Sequence, residues 1–447
     1  MNKLFLSCLG LCLLGFTAQA QWVNKPIGFA ADTYPFYTDA IDANTAWVVG
    51  SDFISSSYVP AQVALTVNGG QTWTVTTMPV STADEEEFTA LSAVNATTAW
   101  ATTVISGVEA RIIRTTNGGQ TWTTQSSPTV YGNPDSYPDM IHFFSTTDGV
   151  TVGDPVAPSG PMEMFTTSNG GVNWTPVAAP PAAQANEYPL STPPAAFGNH
   201  IWFATSRGRV FHSTDKGLTW TVATVAAGAV NIGTLVFRDA QNGLLSILNP
   251  TSTAHRLYRT TDGGATWAAV TYTGPLHGTG LSVVPGTSQY VSAGADIGNG
   301  DQGSSYSRDN GQTWVSLETT YNHFVTEFVS NTVGWSSALD FSGMQLNPGA
   351  NRYSGTALAT RTDAALQASL TVSPNPALGG RFSLRASRTA ANPATVRVLD
   401  ATGRLVQQLP WSNATGLELD LSREPAGLYL LEVEGATGVA RQKVVVQ

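Results

Sequence analysis

Thr115-Thr116-Asn117-Gly118-Gly119-Gln120-Thr121-Trp122 is one of six copies of a single eight-residue pattern. The copies end at Trp73, Trp122, Trp174, Trp220, Trp267 and Trp314. Seven residues before each Trp stands Ser or Thr: Thr66, Thr115, Thr167, Ser213, Thr260 and Ser307. Five before stands Asn68, Asn117, Asn169, Asp215, Asp262 or Asp309, and three before always a glycine. An amide or carboxylate oxygen accepts bonds from N–H groups a few residues on, closing a turn locally. A glycine two residues later supplies the positive φ of a tight hairpin connection. Hydroxyl and indole then belong to two flanking strands, and the indole is large enough to pin the hairpin to its neighbour.

The Trp-to-Trp steps of 49, 52, 46, 47 and 47 residues fit one four-stranded propeller blade each. Between the turns a second element recurs, an apolar strand often carrying Trp, as in Ala46-Trp47-Val48-Val49-Gly50 and Gly334-Trp335-Ser336-Ser337. Seven such elements stand against six turns. The mature N-terminus, Gln21-Trp22-Val23, looks like the strand that normally follows a turn. We therefore expect it to complete the last blade and close the ring, giving an all-β chain with a seven-bladed β-propeller, six blades being the alternative. A small β-sandwich follows it.

The pattern S/T-x-D/N-x-G-x-T-W resembles the Asp-box (BNR) repeat. Asn173 stands for the usual Thr, and Lys216 and Asn310 for a Gly. The resemblance places the turns on the rim, between third and fourth strands. It gives Asn68, Trp73, Asn117, Trp122, Asn169, Trp174, Asp215, Trp220, Asp262, Trp267, Asp309 and Trp314 a structural role. Among Asp-box families, the sialidase arginine motif is absent; Arg111-Ile112-Ile113-Arg114 reads as a third strand. Xyloglucanases pair aspartates across two propellers, and this chain has repeats for one. The single-propeller, photosystem assembly-factor-like group is the nearest, and it implies binding and scaffolding.

Charged residues make up only 12% of the 447-residue chain, which suits turn-rich β structure. Lys3, the apolar run to Phe16 and Ala18-Gln19-Ala20 read as a secretory signal peptide cleaved after Ala20. Both cysteines lie inside it, so neither disulfides nor thiolate metal sites are expected in the mature protein. The net charge of −10 without basic runs argues against nucleic acid, and no segment reads as a membrane span. We expect no cofactor and no metal: the six histidines show no ligand spacing, and the acidic run Asp84–Glu87 reads as a solvated loop.

Propeller ligands usually sit at the channel mouth. Asp52, Asp154, Arg207, Asp296 and Asp340 follow second strands in different blades, and long loops carry Tyr131, Tyr137 and Tyr188. Tyrosines beside carboxylates suit sugars or a cation, so a surface polysaccharide or glycan is the expected ligand class, bound without catalysis. The competing readings are a glycosidase using Asp154 and Asp296 as its carboxylate pair, and a purely structural surface protein.

From about Ala368 seven short alternating strands follow, from Leu370-Thr371-Val372 to Gln442-Lys443-Val444-Val445-Val446, which reads as a sandwich. Ser373-Pro374-Asn375-Pro376, Val398-Leu399-Asp400-Ala401-Thr402-Gly403-Arg404, Gly427-Leu428-Tyr429 and Lys443-Val444-Val445-Val446 resemble the type A sorting domain of the Bacteroidetes type IX secretion system. That resemblance implies export to the cell surface or medium, with the secretion machinery as partner. The expected layout is 1–20 signal peptide, 21–353 propeller, 354–367 linker and 368–447 sorting domain.

Overall fold

A computed structural model describes residues 21–447 except 31–32, 52–59, 82, 127–128, 227–231, 339–348, 356–357, 359–363, 388–393, 401–404, 412–415 and 436–437. The leader, Asp52, Asp340 and the turn expected at 401–403 lie outside the described residues. The described chain is almost entirely β, its one α-helix being Ala364–Ser369.

Residues 34–77, 87–124, 138–176, 195–224, 232–269 and 280–318 each form a four-stranded antiparallel sheet, its strands paired in chain order. We call these the first to sixth sheets. The seventh joins Thr326–Phe328, Gly334–Ser337 and Gly349–Tyr353 to the N-terminal strand Trp22–Pro26. Trp22 lies opposite Tyr353 and Pro26 opposite Gly349. The pairing anticipated from the surplus strand is therefore present, and it covers a sheet edge that would otherwise be open.

A separate hydrophobic core fills each interface between neighbouring sheets. Trp47 and Val63 of the first sheet meet Leu91 and Ile113 of the second; Trp100 of the second meets Ile141 and Phe143 of the third. The series continues through Val150 with Ile201, Trp202 with Leu235, and Leu244 with Leu281. Val291 then packs with Phe328 and Trp22. Trp335 and Ala350 of the seventh sheet return to Val48 and Ala64 of the first. Backbone ties accompany the packing: Ala93 N–H donates to Asp39 Oδ2 at 2.7 Å, and Ala40 N–H to Glu327 Oε2 at 2.8 Å.

The repeated turns join third to fourth strands. In each, the Ser or Thr hydroxyl oxygen accepts the N–H of the conserved Gly, from 2.8 Å at Gly217 to 3.0 Å at Gly119. The Asn or Asp oxygen accepts the N–H four residues on, as in Thr72 to Asn68 (3.0 Å) and Thr219 to Asp215 (2.8 Å). Each turn Trp joins the core shared with the preceding sheet, Trp73 meeting Trp335 edge-on at 5.9 Å. Second-strand tryptophans reach the other way: Trp100 Nε1 donates to Gly170 O of the next turn, and Trp202 Nε1 to Gly263 O. Lys216 and Asn310 adopt the left-handed φ (60° and 59°) that glycine takes in the other copies.

The C-terminal module has a three-stranded and a four-stranded sheet over one core that includes Phe382, Val396, Leu431 and Val444. All seven expected strands are present. Trp411 is buried in that core as well. Leu358, within the expected linker, is fully buried against Trp22 and Tyr353.

Candidate functional site

Three kinds of carboxylate lie toward the ends of the second strands, where the mouth loops spring. The first is locked. Four residues before the turn hydroxyl, the second sheet carries Arg111 and the fourth carries Arg209. Arg111 pairs with the buried Glu86, and Arg209 with the buried Glu187. The same carboxylates accept Thr103 and Thr205 hydroxyls at 2.5 Å, and the N–H groups of Ser81 and Gln184 at 2.8 and 2.7 Å. Glu86 is therefore not part of a solvated loop: the run Asp84–Glu87 contributes a buried ion pair. The hydrogen bonds of Glu187 outweigh its burial and hold its carboxyl below the usual range.

The second kind is braced by histidine. His255 Nδ1 accepts Asn249 N–H (3.0 Å), so its proton is on Nε2 and donates to Asp301 Oδ2 at 2.9 Å. His277 Nδ1 faces two acceptors of Asp301, O and Oδ1, and donates there. His323 lies between Glu318 Oε1 (3.0 Å) and Ser336 Oγ (2.6 Å). Histidines scattered in sequence thus converge across the fifth, sixth and seventh sheets as seam braces. Among the described residues no group of three or more His, Cys, Asp or Glu side chains is placed to hold a metal ion.

The third kind has no cation, and it sits on the third sheet. At the position of Arg111 and Arg209 stands Glu163; opposite it, where Thr103 stands in the second sheet, is Gly153. A Cβ at Gly153 would lie 2.4 Å from Tyr137 O and 2.8 Å from the Tyr131 ring, so glycine is what lets both tyrosine segments close in. Tyr131 takes a left-handed φ of 52°; its buried hydroxyl meets Thr151 Oγ1 at 2.8 Å. Asp154, whose N–H donates to Tyr137 O (2.9 Å), is in hydrogen-bond contact with the carboxyl of the buried Asp139. Two carboxyls bond only by sharing a proton. Burial, then the charge of Asp154, pushes Asp139 well above the usual range; burial pushes Asp154 up to about 6. Ser191 Oγ donates to Asp139 Oδ1 at 3.0 Å. Glu163 is raised by burial and by Asp154, with Ser136 beside it. Glu163 Oε2 is buried without an N–H or O–H donor, and beyond the proton they share, neither Asp139 Oδ2 nor Asp154 Oδ1 has one.

Of the residues expected at the mouth, the structure brings together Asp154, Tyr131 and Tyr137. It does not bring in Asp296, whose carboxylate closes its own loop by accepting Gly298 and Gly300 N–H at 2.9 and 2.8 Å, on the sixth sheet. Asp154 lies with Asp139 on the third sheet, whereas Asp296, its partner in the competing glycosidase reading, lies on the sixth. Arg207 is turned back onto Ala185 O (2.7 Å), and Tyr188 is exposed on the fourth sheet. Asp139, Glu163, Ser136 and Ser191 were not anticipated.

Comparison with known proteins agrees with this architecture. Residues 156–342 match the DUF6242 beta propeller domain, and residues 371–447 match a secretion system C-terminal sorting domain. The chain thus carries a β-propeller and a type IX sorting domain, which marks it for secretion and export to the cell surface. YCF48 bound to D1 peptide superimposes with a TM-score of 0.52 and 16% identity, over 75% of this chain and 97% of that one. YCF48 from Cyanidioschyzon merolae gives 0.52 and 18%, over 74% and 98%. A GH74 xyloglucanase from Xanthomonas campestris aligns at a TM-score of 0.35 and 12% identity, over 90% and 83%. The two YCF48 structures share the fold alone. Among curated proteins none matches. No helix among the described residues is long and apolar enough to cross a membrane.

Proposed function

We propose that the mature chain is a seven-bladed propeller that holds a ligand without catalysis at the mouth of the third sheet, displayed at the cell surface by way of its sorting domain. The observation that carries this reading is the Asp139–Asp154–Glu163 group, acids without a cation on a scaffold that elsewhere at the mouth gives each buried acid an arginine or histidine. A ligand with hydroxyl or ammonium donors, such as a surface glycan carrying amino sugars, would supply what these oxygens lack. The half-buried Tyr137 offers a ring to stack on.

A hydrolase reading is less well supported. Glycosidic cleavage needs two carboxyls about 5 Å apart or more, with the sugar between them. Asp139 and Asp154 are in direct contact, and Asp296 is tied into its own turn. The same domain layout leaves 354–367 as the proposed segment for removal of the sorting domain and Ala20 as the proposed end of the leader.

The test is a panel of neutral and amino-sugar glycans presented to the mature chain and to Asp154→Asn. Binding weakened in the variant, with no reducing ends released by either protein, supports the reading. Reducing ends released only by the wild type would establish the hydrolase, and a panel that neither protein touches would leave a structural surface protein.

A further inference from the structure

The innermost strands of all seven sheets line a central cavity of about 630 Å³, within the size range of small-molecule sites. Two carboxylates line it, Asp39 on the first sheet and Glu327 on the seventh. Each uses one oxygen to accept the N–H of the following sheet, Ala93 (2.7 Å) and Ala40 (2.8 Å). At two other seams a serine does the same work: Phe143 N–H donates to Ser92 Oγ and Phe328 N–H to Ser282 Oγ, both at 2.9 Å. A neutral hydroxyl is therefore enough for the tie, and the two charges are surplus to it.

Nothing around the cavity neutralises them. Arg238, which also lines it, is engaged by Asp239 and Asn310. His142 lines it too, and burial lowers its pKa to about 4, so it is uncharged at neutral pH. Tyr37 is buried beside both carboxyls, which raise its pKa further, so it stays protonated. Burial raises Asp39 to about 7, and burial together with the charge of Asp39 raises Glu327 to about 8, so at neutral pH each is only partly ionised until a cation sits beside them.

We propose that this channel binds a small organic cation at the seam of the seventh and first sheets. The ammonium or guanidinium head meets the Asp39 and Glu327 carboxyls. The apolar body lies along the rest of the cavity wall, which is mainly apolar. A hard divalent ion fits less well, because it needs six or more oxygens and the rest of this wall is largely aliphatic. The head belongs either to a free amine or to a lysine or arginine side chain entering from the mouth. The site is separate from the third-sheet acids and stands or falls without them.

The experiment is isothermal titration of the mature full chain at neutral pH with benzylammonium, with benzyl alcohol as the uncharged isostere and a lysine-ended tripeptide as the second source. Benzylammonium should bind saturably and benzyl alcohol should not. Glu327→Gln and Asp39→Asn keep an oxygen for the backbone tie and should each weaken binding by roughly tenfold or more. Thermal melting should be unchanged or raised in both, since a like-charge contact is removed, and Asp154→Asn should bind as the wild type does. Tighter binding of the tripeptide would assign the head to a side chain, tighter binding of the free amine to a small molecule. Equal heats from amine and alcohol, undiminished binding in the double variant, a large drop in melting temperature in both variants, or displacement of the amine by calcium would overturn the proposal.

Discussion

The second and fourth sheets, set beside the third, show one scaffold position used in two opposite ways. Four residues before the turn hydroxyl, Arg111 and Arg209 reach a buried glutamate that also holds a threonine hydroxyl and a backbone N–H. In the third sheet the same position is Glu163, the threonine is Gly153, and the loop brings in Asp139 and Asp154. The sheets on either side are clamped; the one between them carries unneutralised acids. In a repeat protein the copy that departs from its siblings, at a cost in self-repulsion, is where packing alone fails to account for the residues.

The largest effect should come from breaking a clamp. Glu187→Ala leaves the mostly buried Arg209 without its carboxylate and frees Thr205 and Gln184 N–H. It should destabilise the propeller by about 3–4 kcal/mol, read from the urea midpoint of the mature chain.

Asp154→Asn should act in the other direction. Asp154 is raised to about 6 in the fold, above the usual value near 4. A carboxyl raised on folding favours the native state at low pH and loses that contribution as pH climbs through the folded value. The wild type should therefore weaken between about pH 4 and pH 7 relative to the variant. Because Asp154 is partly open to solvent, the difference at pH 8 should be only about 1–2 kcal/mol. Parallel pH–stability curves for the two proteins would dispose of the shared proton.

Glu163→Arg imports the residue of the neighbouring sheets and sets a cation among three acids. It should stabilise the propeller by about 1 kcal/mol at neutral pH, read from the urea midpoint, and abolish ligand capture at the mouth. Unchanged capture would show that the acids are not the binding surface. The smallest effect is expected on the rim. Asp262→Asn converts the fifth turn to the chemistry of the first two, in which Asn68 and Asn117 Nδ2 donate to the Thr hydroxyl at 2.8 Å. It should change stability by less than about 0.5 kcal/mol, measurable as a near-coincident thermal melt.

The rim turns were legible in sequence because the hydroxyl and Asn/Asp bonds that close each of them span four residues or fewer, so type and spacing carry the turn geometry. Ring closure was legible by counting, since seven strand elements against six turns left Trp22 as the missing partner. The mouth was legible only in part. Asp154, Tyr131 and Tyr137 were visible as loop residues, but Asp139 reads as the start of an apolar strand and Ser191 lies 52 residues from it. Which of them meet depends on the order of sheets around the ring. A signal was nonetheless present: reading four residues before each turn hydroxyl gives Gln62, Arg111, Glu163, Arg209, Arg256 and Gly303, and the single acid in that series marks the third sheet. The histidine braces left no such trace, because their members come from strand ends and loops of three sheets.

The pairing of Trp22–Pro26 with Gly349–Tyr353 also sets an order of assembly. Six sheets can be knitted from contiguous chain as it emerges, but the last must wait for a segment made hundreds of residues earlier. Until then that segment has to stay available and the sixth sheet keeps an apolar face bare, the face that Trp22 later covers with its indole N–H on Ser304 Oγ at 2.9 Å. The ring thus cannot seal until the sequence leading into its export address is being laid down.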